Sequence, residues 1–353
     1  MRPDTWLLYR QMLRSRLFEE RVKELWKKGL ISGEMHLGMG EEAIAACLTA
    51  MLQDGDAMAL DHRGTPVLLM RGVDLVCLLR EFMGRADGLC RGYGGHMHLF
   101  SREHLCASSG IVGASGPLAS GFALASQHLR PGKLAVAFFG EGAMNQGMLL
   151  ESLNLAAAWK LPVIFVCKDN RIAITTHSPS VTAGSLMERV KGFGLLALEV
   201  DGTDIEAVWE AAAEAVQRVR KGEGPVFLLA HCCHLEGHFL GDPLLRIIRN
   251  PFKQVKKTLM PLIRSLLSLK GASLSDRFRS LRDVASLIGR ASKEKGSKSS
   301  DPIYQTRQKL KMDKRRLEEM EKEVRQEIDQ AIELSLAGFG SDSEDYKGSS
   351  NLS

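Results

Sequence analysis

The chain has 353 residues, 44% of them apolar and 25% charged, enough for a sizeable core in one large or two medium domains. No apolar run reaches the length of a membrane span, and a net charge of +5 is too small for a nucleic-acid footprint over the whole molecule. Seven cysteines, odd in number and scattered along the chain, read as reduced thiols of a cytoplasmic protein.

The opening residues, MRPDTWLLYRQMLRSRLFEERVKELW, mix acids among bases and lead to no small-residue cleavage site. They predict an amphipathic helix over 5–30, not a targeting peptide. GEEAIAACLTAMLQ (40–53) predicts the next helix, followed by Gly-rich polar loops at 61-DHRGTP-66, 91-RGYGGHMH-98 and 107-ASSGIVGASGP-117. A helix rich in small residues follows over 117–129. From there apolar strands at 134–139, 162–167, 195–200 and 225–230 alternate with helices at 146–159, 182–192 and 203–221. That alternation predicts a parallel sheet covered by helices on both faces, ending near residue 243. The stretch 231-HCCH-234 is a poor zinc site, because neighbours on an extended segment point to opposite faces.

Beyond this α/β domain (1–243) the character changes. Residues 244–300 carry 14 Lys/Arg against 3 Asp/Glu, interleaved with Leu and Ile at near-helical spacing. They predict a basic helical insert, either a solvated face or a docking surface for a partner subunit or an acidic lipoyl domain. Few aromatic residues interleave with the bases, which argues against nucleic acid, and a membrane surface is equally disfavoured. Residues 301–337 predict one long charged helix, with Leu310, Leu317, Met320, Val324, Ile328 and Ile332 on its apolar side. The last segment, 338–353, is too polar to bury itself and predicts a disordered tail.

The chemistry gathers at 139-FGEGAMNQG-147 and 168-KDNRIAITT-176. The connection from the strand at 134–139 through one helix to the strand at 162–167 is a right-handed crossover, so the two strands end side by side. That edge of an α/β sheet is where ligands bind. Glu141 and Asn170 each follow a strand and can meet over one ion. An oxygen-only pair, one anionic and one amide, suits magnesium completed by phosphate and water. Gly140 and Gly142 let a phosphate approach the backbone, and a helix starting near Asn145 aims its amides at that anion.

Glycine-acid-glycine followed some thirty residues later by asparagine resembles the thiamine diphosphate motif. The surrounding text, GEGAMNQG…ESLNLAAAWKLPVIFVCKDNR, resembles the alpha subunit of the decarboxylating component of 2-oxo acid dehydrogenase complexes, the pyruvate and acetoin dehydrogenase type. The resemblance runs from about Tyr9 to Asp242 and resumes at 301-DPIYQTRQKL. It implies the thiamine diphosphate-binding fold with a helical C-terminal extension, and thiamine diphosphate and magnesium as cofactors. Glu141, Asn170 and the carbonyl of Ile172 take the places of the metal ligands. Gly142, Ala143, His62 and Arg63 match diphosphate-binding positions, and Gly110 and Val112 match the loop that holds the aminopyrimidine. His36 and His238 match substrate-side histidines.

The resemblance further implies a heterotetramer of two alpha and two beta chains, whose beta chain supplies the glutamate that activates the aminopyrimidine. A lipoyl acyltransferase component would receive the acyl or hydroxyalkyl group taken from a 2-oxo acid or acetoin. Three departures stand out. Glu141 is one methylene longer than the usual aspartate, Thr65-Pro66 replaces a histidine-bearing stretch, and Phe239 replaces a serine phosphorylated in mitochondrial relatives. A family member kept for assembly or regulation, without catalysis, is the alternative these departures suggest.

Overall fold

The computed structural model describes residues 3–241 except Thr175, the short stretches 273, 275–279 and 282–283, and residues 298–337. The expected basic insert therefore lies largely, and the expected tail entirely, outside the described residues. No helix among the described residues is long and apolar enough to cross a membrane.

Six strands form a parallel sheet: β1 (Ala57–Leu60), β3 (Cys106–Ser108), β4 (Ala135–Gly140), β5 (Val163–Asp169), β8 (Leu196–Asp201) and β9 (Val226–His231). The two-residue β2 (Phe100–Ser101) adds an antiparallel edge, giving the order β2-β3-β1-β4-β5-β9-β8. A small hairpin, β6 (Ile172–Ala173) with β7 (Thr176–His177), stands apart after β5.

Side chains alternate across the sheet, and each face has its own core. Met58, Val136, Phe138, Ile164, Val166 and Leu228 join the larger core with α1 (Thr5–Lys27), α2 (Glu42–Ala50), α3 (Thr65–Met70), α4 (Leu75–Phe82) and α8 (Ile205–Arg220). Ala59, Ala137, Phe139, Phe165, Cys167 and Phe227 face α5 (Ser115–Leu129), α6 (Gly147–Ala158) and α7 (Leu186–Gly192). Burial on both faces explains why these strands read as continuous apolar runs.

The helix expected over 301–337 is two helices, α9 (Pro302–Leu310) and α10 (Lys314–Leu336). Asp313 breaks it by capping α10, accepting the Arg316 N–H at 3.1 Å. Leu310, Leu317, Val324 and Ile328 are buried in the larger core, as the periodicity predicts, and Met320 and Ile332 pack at its margin. Asp301 caps α9 and pairs with Arg16 of α1 through two bonds of 3.0 and 3.1 Å, while Arg16 also holds Glu42 at 2.6 Å. This arginine fastens the C-terminal helices to the body.

Candidate active site

Four parallel strands deliver the site at their carboxyl ends. β1 leads into Asp61–Arg63, β4 into Glu141, β5 into Asp169 and Asn170, and β9 into the segment ending at His238. Pairing of Gly140 with Lys168 brings Glu141 and Asn170 out side by side.

Glu141 is 3% exposed, and no Lys or Arg among the described residues pairs with it. The Ser178 hydroxyl donates to its Oε1. Burial and the nearby Asp169 carboxylate push its pKa up, against that hydrogen bond. The Asn170 amide nitrogen lies 2.8 Å from His234 Nδ1. Its oxygen then faces Glu141 Oε2 at 3.3 Å and the Ile172 carbonyl at 2.9 Å. Apart from the Ile172 N–H, which reaches the Asn170 oxygen at a long 3.4 Å, three acceptors meet with no donor between them among the described residues. Turning the amide over would put its NH2 group in the gap, but a small cation satisfies all three oxygens with the amide as it stands. The donor set is oxygen-only and carries one charge, which fits magnesium. Arg171 sits at φ 65° and bends the chain so that Ile172 turns back toward Asn170. Asp169 supports that bend by accepting the Arg171 N–H at 2.8 Å.

After Glu141 the chain makes a 3-10 turn, Glu141–Asn145, before α6 begins at Gly147, slightly later than the sequence suggests. The first amides of both turns lack acceptors within them, and no side chain caps α6, so the corner can receive an anion. Gly142 is required by close approach: a Cβ there would stand 2.8 Å from Ala173 Cβ. Ala143 is buried beside it. Alongside the corner opens a cavity of about 840 Å³, bordered by Glu141, Asn170, Ser178, Asp169 and His231.

His36, His62 and His238 form a second cluster, with ring nitrogens within 4.8 Å of one another. Burial and then the Arg63 guanidinium depress all three, His36 and His238 to about 3 and His62 further still. They are neutral imidazoles at pH 7. The spacing would admit a metal, but Arg63 beside the trio disfavours a dication and favours an anionic or carbonyl oxygen. Arg63 itself is 3% exposed. It donates to the Leu37 carbonyl at 2.6 Å and the His238 carbonyl at 2.5 Å, so it fixes the loop that carries His238. His62 Nε2 is buried without a hydrogen-bond partner among the described residues. Gly110 packs under Met97 and His98, where a Cβ would come within 3.2 and 3.3 Å of their side chains. The neighbouring Ile111 and Val112 are 62% and 52% exposed.

A buried polar chain that the sequence reading does not anticipate joins the two clusters. Glu41 receives Lys168 Nζ at 2.6 Å and His234 Nε2 at 2.8 Å. Lys168 also reaches Asp61 at 3.0 Å, whose Oδ1 accepts the Arg63 N–H at 3.0 Å. Burial alone would raise the Glu41 pKa, but Lys168 and His234 outweigh it and hold the carboxyl at about 2. Since Glu41 is ionised, His234 donates to it through Nε2–H and accepts from the Asn170 amide at Nδ1. The only advance signal was a lysine closing the apolar run of β5, since a buried cation demands acids. The residues of 231-HCCH-234 do not converge as a set: His231 turns to Glu199 and the Cys233 thiol to the Ser300 carbonyl, while His234 turns to Glu41 with Cys232 beside them, their ligand atoms within 4.8 Å.

Residues 10–272 match the family described as dehydrogenase E1 component. The chain belongs to the dehydrogenase E1 component family. Among relatives of this E1 chain, the alpha subunit of acetoin:2,6-dichlorophenolindophenol oxidoreductase from Cupriavidus necator is 44% identical over 237 residues, 67% of this chain and 71% of that one. The pyruvate dehydrogenase E1 component subunit alpha of Zymomonas mobilis is 42% identical over 257 residues, 72% of this chain and 73% of its own. The Bacillus subtilis counterpart of the acetoin enzyme's alpha subunit is 40% identical over 237 residues, covering 67% and 71%. The family match covers β4, β5 and β9 and both residue clusters of the E1 chain.

Proposed function

We propose that the chain is the alpha subunit of a thiamine diphosphate-dependent 2-oxo acid or acetoin dehydrogenase. The observation that carries this reading is the meeting of Glu141, Asn170 and the Ile172 carbonyl around one cation-sized gap, in a chain of the E1 family. These three groups would hold magnesium, and Gly142 and Ala143 would meet the diphosphate. Gly110 and Val112 would border the aminopyrimidine. When bound, the cofactor supplies a thiazolium carbon that adds to a carbonyl and an electron sink for the bond that breaks.

The chain's own residues do the rest. Glu41 and His234 orient the Asn170 amide so that its oxygen faces the gap shared with Glu141 and the Ile172 carbonyl, where it would meet the ion. Ser178 steadies Glu141, which compensates for a side chain one methylene longer than aspartate. Arg63 holds His238 and lends positive potential to the diphosphate side, where the neutral His62 would add a hydrogen bond. His36, buried, and His238, half-buried, both neutral, hydrogen-bond the substrate and move protons. The buried Lys168 keeps Glu41 ionised and links the two halves of the site.

The beta chain completes the enzyme, in a heterotetramer of two of each, and a lipoyl acyltransferase takes the product group. Support for a partner comes from large apolar side chains left exposed near the aminopyrimidine loop and along α6: Ile111, Val112, Met148, Leu155 and Trp159. The seven unpaired thiols suit the cytoplasm. The test is reconstitution with the beta chain, magnesium and thiamine diphosphate, followed by dye reduction with pyruvate, branched 2-oxo acids or acetoin. Cofactor-dependent turnover by the pair, and none by either chain alone, is expected. Turnover by this chain alone, or none by a well-assembled pair with any of these substrates, would overturn the reading.

A further inference from the structure

The Gly-rich loop 90–95 is pinned by one carboxylate. Glu81, fully buried at the end of α4, accepts the N–H groups of Cys90, Gly92, Gly94 and Gly95 at 2.6, 2.8, 2.7 and 3.2 Å. Two of its glycines admit no side chain: a Cβ at Gly92 would stand 2.5 Å from the Gly84 carbonyl oxygen, and one at Gly94 2.3 Å from that of His98. The pinning delivers His96, 8% exposed, with its ring edge-on to Phe82 at 6.5 Å and its Nε2 aimed at His36.

Two groups converge on that nitrogen. The His36 backbone N–H donates to His96 Nε2 at 3.2 Å, and His36 Nδ1 lies 3.1 Å from it. A backbone N–H can only donate, so His96 Nε2 carries a lone pair and its proton sits on Nδ1. The rings lie within 17° of parallel, with centroids 5.4 Å apart. That spacing exceeds the N···N distance by nearly two ring radii, so the nitrogens lie close to the line between centroids. This is an in-line N–H···N bond between rings edge to edge, and the proton in it must come from His36 Nδ1.

We propose that His96 is a positioning residue that locks His36 in the Nδ1–H tautomer, so that His36 offers an unprotonated Nε2 to the substrate. This rests on the reading of His36 as a substrate-side group. No described residue bonds His36 Nε2. His36 meets the rings of His62 and His238 edge to face at 4.6 and 5.1 Å. Burial, followed by the Arg63 charge, keeps both members of the pair neutral, His36 at about 3 and His96 at about 4. The consequence is a specificity: His36 accepts from a hydroxyl or another protonated group. A bare carbonyl or carboxylate oxygen must find its donor elsewhere in the site.

The test is the long-range ¹H–¹⁵N histidine spectrum of the full-length chain near pH 7.5, with His36 assigned by loss of its signals in His36→Gln. Wild type should show a protonated Nδ1 and a bare Nε2 on His36. His96→Gln keeps an acceptor and should preserve that pattern, whereas His96→Phe keeps the packing on Phe82 without an acceptor and should give a mixture of tautomers. In the complex assembled with the beta chain, His96→Phe should lower kcat at least about tenfold at nearly constant KM, and His96→Gln should rescue most of it. A protonated Nε2 on His36 in wild type overturns the proposal even if His96→Phe fails to fold, and so does an unchanged tautomer in a folded His96→Phe. Failure of the functional reading would show instead as an inactive complex, while the spectrum still decides the tautomer.

Discussion

Glu19 is fully buried under the segment 36–42, with Oε1 accepting the Gly38 N–H at 2.8 Å and Oε2 without a partner among the described residues. Burial raises its pKa from 4.5 to about 8, the Gly38 bond opposes the rise, and Glu42 and Glu41 add to it. Between those two values the folded state holds a proton that the unfolded state lacks. Stability therefore falls as pH rises through that window, by up to about 1.4 kcal/mol per pH unit from this group. Glu19→Gln should flatten the slope in denaturant melts between pH 5 and 8, and an unchanged slope would show that Glu19 ionises normally. His234 has a different task, since it acts through Asn170. Its replacement by alanine should weaken magnesium binding about 10- to 100-fold, by calorimetry in the presence of thiamine diphosphate; full affinity would remove His234 from the account. Glu141 and Asn170 were legible because their spacing follows two adjacent strands. Glu41, Ser178 and His234 were not, because each finds its partner across long stretches of chain that no local pattern reports.

Secondary elements were legible where periodicity was long. The strands β4, β5 and β9 are six or seven residues of largely buried chain and β8 is six residues of half-buried edge strand, all with apolar runs that the text shows plainly. β1 has four residues and β2 and β3 have two and three, too short to stand out among the glycines. The helices α3 and α4 lie in the same region and were passed over. For α10 the spacing of its apolar residues was sufficient, although the break at Asp313 was missed. Since Ile328 is 1% exposed in the main core, Ile328→Ala should cost about 2–5 kcal/mol in reversible unfolding. A cost below about 0.5 kcal/mol would mean that α10 is a detachable appendage.

At the scale of the molecule, the sheet edge holds an oxygen-lined corner, a neutral histidine trio and a buried ion-paired chain between them, while apolar side chains nearby face outward. Leu155 and Trp159 are 37% and 51% exposed on α6, so a charge placed there costs the isolated chain little. Leu155→Asp should leave its thermal midpoint unchanged yet weaken association with the beta chain at least about tenfold, as read by sedimentation; undiminished association would move the interface elsewhere. The central claim is that this corner binds magnesium with thiamine diphosphate. Its most direct test is calorimetric titration of the cofactor, with and without magnesium, into the assembled complex bearing wild-type chain, Glu141→Ala or Glu141→Asp. Magnesium-dependent binding is predicted in wild type, nearly kept in Glu141→Asp and weakened at least about 100-fold in Glu141→Ala, where the ion loses its one protein charge. Equal affinity in wild type and Glu141→Ala would contradict the account.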